Sequence, residues 1–70
     1  MEMVPVKSSN IAKIGHDPAT KTLRVEFRNG SVYSYHDVDA DKHAALMKAD
    51  SVGSHFNEHI KNGGHKFTKA

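Results

Sequence analysis

The chain has 70 residues, of which 37% are apolar and 26% charged, which suits one modest core and is too little to divide between two. Ten Lys and Arg against eight Asp and Glu leave a net charge of +2, cysteine is absent, and no apolar run approaches the ~20 residues of a membrane span. These numbers set aside disulfide scaffolds, thiolate nucleophiles, cysteine-ligated zinc and a large buried catalytic cleft. They predict one domain over residues 1–70, without a signal peptide, in a reducing cytoplasm.

In chain order, Ser8-Ser9-Asn10 places three small polar side chains ahead of a first strand at Ile11 to Gly15; such groups can hydrogen-bond a ligand, but local chemistry favours their bending or capping their own backbone. Asp17-Pro18-Ala19-Thr20 reads as a type I turn, with Pro18 supplying its fixed φ and Asp17 accepting hydrogen bonds from turn amides. It closes the first strand onto a second, with Ile14 opposite Leu23 and Ala12 opposite Val25.

The second and third strands run from Thr22 to Arg28 and from Ser31 to His36. Both are rich in β-branched and aromatic residues, and Asn29-Gly30 between them predicts a two-residue type I′ hairpin turn with positive φ at both positions. That loop pairs Phe27 with Val32, Glu26 with Tyr33, Val25 with Ser34 and Arg24 with Tyr35. Directly paired residues share a face, so Leu23, Val25, Phe27 and Val32 turn inward. Arg24, Glu26, Arg28, Tyr33 and Tyr35 turn to solvent or to a partner.

After Val38, Asp39 is placed to cap a helix through about Ala49, with His43, Leu46 and Met47 on its inner side. Asp50 or Ser51 caps a second helix, along which Val52, Phe56 and Ile60 recur every four residues, and Gly63-Gly64 ends it. The tail from His65 to Ala70 is either a short closing strand or frayed. The resulting expectation is α+β: a three-stranded antiparallel β-meander packed against two short C-terminal helices, with its core over about residues 4–68.

These residues closely resemble the KTSC domain. The resemblance rests on Val6 to Ile11, Ile14 to Pro18, Leu23 to Tyr35, Val38, Ala49 to Gly53, Phe56-Asn57 and Ile60-Lys61, and on the Tyr-x-Tyr mark of that family at Tyr33-Ser34-Tyr35. Histidine stands at positions 16, 43, 55 and 65, where aromatic residues are common in the family. The family takes its name from the C-terminal domain of some lysyl-tRNA synthetases, so the resemblance suggests RNA as a partner.

Arg24, Arg28, Tyr33 and Tyr35 are the candidate nucleic-acid-binding residues. Bases stack on aromatic rings at ~1–3 kcal/mol each, and arginine adds phosphate contact and guanidinium stacking. The competing reading of the same residues is ordinary cross-strand packing. His55 and His59 stand four apart on a predicted helix, the spacing that brings two imidazoles to one metal. No third ligand is identifiable, and no metal or other cofactor is expected. No catalytic Ser-His-acid order, phosphate-binding glycine loop or placed carboxylate pair is present. The function expected is a small non-enzymatic binding module with RNA or single-stranded nucleic acid as partner. The alternative is a protein-interaction module or phage or bacterial regulator that docks a protein through the tyrosine face or an open sheet edge.

Overall fold

A computed structural model describes residues 3–69. Five antiparallel strands form one sheet in sequence order: β1 (Met3–Pro5), β2 (Ile11–Asp17), β3 (Thr22–Phe27), β4 (Val32–Tyr35) and β5 (Phe67–Lys69). Between β4 and β5 the chain forms α1 (Ala40–Lys48) and α2 (Val52–Phe56), the latter continued by a π-helical turn over Asn57–Lys61. The α+β class stands, with two corrections. The meander has five strands, because the short segments at either end pair with its edges, and the helices are not C-terminal, because β5 follows them.

The hairpin does form at Asn29-Gly30, but with three loop residues. The Phe27 carbonyl accepts from Gly30 N–H at 3.0 Å and Phe27 N–H donates to the Ser31 carbonyl at 2.8 Å, leaving Arg28, Asn29 and Gly30 in the loop. Gly30 has φ 93°, whereas Asn29 is not among the positive-φ residues. The Asn29 side chain instead accepts from Ser31 N–H at 2.9 Å, the local bond by which Asn stabilises an ordinary turn. A turn ending in a left-handed glycine is the usual three-residue hairpin.

That extra residue moves the register by one. Val25 pairs with Tyr33, Leu23 with Tyr35, Arg24 with Ser34 and Glu26 with Val32. A one-residue slip exchanges the two faces of a strand. Tyr33 and Tyr35 therefore stand on the core face beside Val25 and Leu23, and Val32 stands on the other face with Glu26, outside the core.

The turn after β2 follows its sequence signal, with the Asp17 carboxylate accepting from Ala19 N–H at 3.0 Å. Its pairing differs from the expected one: Ile14 faces Val25 and His16 faces Leu23, while Ala12 is the extra residue of a bulge between Ile11 and Lys13. The bulge explains how Ile11 and Ile14, three apart, are both at most 1% exposed.

Ile11, Ile14, Leu23 and Val25 from the sheet meet Val38, Leu46, Val52, Phe56 and Ile60 in one core that also includes Tyr35. Phe27, Tyr33 and Met47 pack against its margin. Asp39 and Ser51 occupy the N-cap positions as expected, yet neither side chain makes a capping bond. Asp39 turns to Lys21 Nζ at 3.5 Å. At the far end, a Cβ on Gly63 would lie 2.3 Å from the His59 carbonyl oxygen, and Gly64 has φ 81°. That leaves glycine as the residue suited to both positions.

Candidate nucleic-acid interface

The helices do not cover the whole core face of the sheet. At the end nearest the β3–β4 turn an open groove of about 580 Å³ runs between sheet and helix, lined by Phe27, Tyr33, Tyr35, Phe56 and Phe67. The rings interlock edge to face: Phe27 meets Tyr33 at 5.5 Å and Phe56 at 5.9 Å, while Tyr35 meets Phe56 at 5.2 Å, centroid to centroid. Tyr35 lies beside Phe67 at 5.4 Å with the planes tilted by 34°. Such contacts stiffen an aromatic wall beyond what burial alone provides.

The five rings differ in accessibility. Phe56 and Tyr35 are 1% and 5% exposed, whereas Phe67 is 57% exposed and Tyr33 is half-buried. Burial, with Tyr33 nearby, pushes the Tyr35 phenol above its ordinary value. It is therefore a neutral hydroxyl at physiological pH, able to donate as well as accept. Among the described residues neither tyrosine hydroxyl has a hydrogen-bond partner or is sealed from solvent.

Arg28 and Lys61 bring positive charge to the groove, and Asn10, Asn29 and Asn57 bring amides. Arg28 is held in place: its Nε donates to the Ser8 carbonyl at 2.7 Å and its backbone N–H to the Asn10 carbonyl at 2.8 Å. Ser8 is structural, its Oγ accepting from the N–H groups of both Asn10 and Ile11 at 3.2 Å. No carboxylate is among the described residues that line the groove.

Of the sequence candidates, Arg28, Tyr33 and Tyr35 come together, with the tyrosines in a groove rather than on a flat exposed face. Arg24 is separated from them. It pairs with Gly15 on one side and Ser34 on the other, on the face of the sheet away from the helices. Phe67 and Lys61 were missed as site residues. Apart from a lone aromatic in a short tail, nothing local marked them, since they reach the groove only through the pairing of β5 and the course of the π-helical turn.

His55 and His59 do meet, with ring centroids 4.2 Å apart. Among the described residues, no His, Cys, Asp or Glu group of three or more is placed to hold a metal ion. No helix among them is long and apolar enough to cross a membrane.

Comparison with known proteins agrees with this architecture. The KTSC domain model matches residues 7–65. An uncharacterized protein from Stutzerimonas stutzeri is 41% identical over 61 residues, covering 87% of this chain and 86% of its own. A lysine–tRNA ligase from Nostoc punctiforme is also 41% identical over 61 residues, but these make up only 11% of that enzyme. In three dimensions, the crystal structure of a KTSC domain protein from Yersinia pestis matches with a TM-score of 0.91 at 33% identity, covering 99% of this chain and 96% of that one. The chain belongs to the KTSC domain family.

Proposed function

We propose that this domain is a non-enzymatic module that binds single-stranded RNA in the aromatic groove. The observation that carries the reading is the lining: among the described residues, five aromatic rings, two cations and three asparagines with no carboxylate. Unpaired bases are bound by aromatic stacking and by hydrogen bonds to their edges, and phosphates by Arg and Lys. Phe67 and Tyr33 offer ring surface, Tyr35 offers its hydroxyl, the asparagines can address base edges, and Arg28 and Lys61 meet the backbone. Among the described residues the lining holds neither His nor a carboxylate as general acid or base, which favours binding over catalysis. The relation to a segment of a lysine–tRNA ligase supports RNA in particular.

Anisotropy titration of a labelled single-stranded oligonucleotide at low and moderate salt tests the reading. Binding should weaken with salt as counterions are released, and Phe67→Ala and Tyr33→Ala should each lose roughly fivefold or more, as for one stacked base. Arg24→Ala, on the opposite face, should leave affinity unchanged. Absence of binding at low salt, or full binding by folded Phe67→Ala, would replace this reading with a protein partner.

A further inference from the structure

A second depression of about 280 Å³ adjoins the aromatic groove, and Ser9, Asn10 and Asn57 line both. Its other walls include Lys7, Asp50, Ser51 and Ser54, and among the described residues no apolar side chain lines it. The β1–β2 loop and the start of α2 approach closely enough to form it because position 53 is glycine, where a Cβ would stand 3.0 Å from Ser8 Oγ.

The polar groups here are not consumed by the fold. Ser51 occupies the N-cap position of α2 without a capping bond from its side chain. The side chains of Ser9, Ser54, Asn57 and Asp50 likewise have no hydrogen-bond or ion-pair partner among the described residues, in contrast to Ser8 beside them. Serine and asparagine both donate and accept, whereas ionised Asp50 only accepts. That carboxylate disfavours a phosphate at its own position but suits a neutral hydroxyl, which can donate to it.

We infer that this polar groove is a ribose subsite, resting on the proposed RNA reading, and that the module selects RNA over DNA through the 2′-hydroxyl. A strand whose base enters the aromatic groove carries its sugar across the shared edge at Ser9, Asn10 and Asn57. The 2′-hydroxyl is both donor and acceptor and is the group by which proteins distinguish the two nucleic acids. The Asp50 carboxylate accepts a hydrogen bond from it, Ser51 or Ser54 donates to its oxygen, and Lys7 meets the adjoining phosphate.

The test compares RNA, DNA and 2′-O-methyl RNA strands of one sequence, titrated by anisotropy against wild type, Asp50→Ala and the double variant Ser51→Ala/Ser54→Ala, with melting curves to verify folding. Wild type should favour RNA over the other two by about threefold to tenfold, the net worth of one or two hydrogen bonds. Each variant should reduce the preference for RNA over DNA, whereas the charge lost in Asp50→Ala acts on the phosphates of both strands alike. Equal wild-type affinity for RNA and DNA overturns the ribose subsite and leaves the aromatic groove standing, as does an RNA preference that neither variant reduces. Failure of wild type to bind any of the three overturns both.

Discussion

His16 lies flat against His43, with ring centroids 4.9 Å and planes 11° apart. His16 donates from Nε2 to the Val38 carbonyl at 2.7 Å, whereas His43 Nε2 is buried without a partner. Burial and the imidazole alongside hold His43 below its ordinary pKa of 6.5. Unfolded chains therefore take up this proton more readily than folded ones, and the contribution to stability is fully present above about pH 6.5 and lost as pH falls through the lowered folded-state pKa. Melting temperature should decline over that interval, and His43→Phe should flatten the decline. An identical pH profile in the variant would remove His43 as its source.

The tyrosine motif should divide by position. Tyr35 is 5% exposed and packs on Phe56, so Tyr35→Ala should destabilise the fold, and Phe56→Ala should cost ~3–5 kcal/mol. Half-buried Tyr33 should be the milder loss. Urea denaturation of the three variants checks the order, which Tyr33→Ala as the most damaging would contradict.

Gly30 is the hairpin residue at positive φ, with open space around its Cβ position. The penalty for Gly30→Val is thus backbone strain without a clash, roughly 1–2 kcal/mol or somewhat more for a β-branched side chain. Gly30→Asn should recover part of it, since Asn tolerates this region. Equal stability of wild type and Gly30→Val in denaturant would exclude the three-residue turn.

Gly53 and Ser8 should be coupled. In a helix, Gly→Ala ordinarily stabilises by ~1 kcal/mol, but here the new Cβ would crowd Ser8 Oγ at 3.0 Å while that oxygen holds two backbone amides. Gly53→Ala should therefore yield its gain only in a Ser8→Ala background. A double-mutant cycle should give a coupling of at least about 0.5 kcal/mol, and simple additivity would show that the contact carries no weight.

Zinc should leave the melting temperature unchanged, because His55 and His59 lack a third ligand among the described residues. A rise at near-stoichiometric zinc that disappears in His59→Ala would establish a site that binds the native state.

Local chemistry in the sequence was sufficient for the α+β class, the turn at Asp17, the hairpin at Asn29-Gly30 and the helical stripe of Val52, Phe56 and Ile60, because periodicity and turn residues act over a few neighbours. It also singled out Tyr33, Tyr35 and Arg28. It did not determine which way the tyrosines face. Asn-Gly permits both a two-residue and a three-residue loop, and the choice depended on Asn29 bonding to Ser31 and on how β4 seats against the core. One residue of slip then separated both tyrosines from Arg24 and moved them into a groove. The outer strands, three residues each, are too short to announce themselves by alternation and exist because β2 and β4 offer them open edges. Phe67 and Lys61 joined the site by the same route. Contacts between residues distant in sequence are decided by the packing of the whole chain, and no local pattern encodes them.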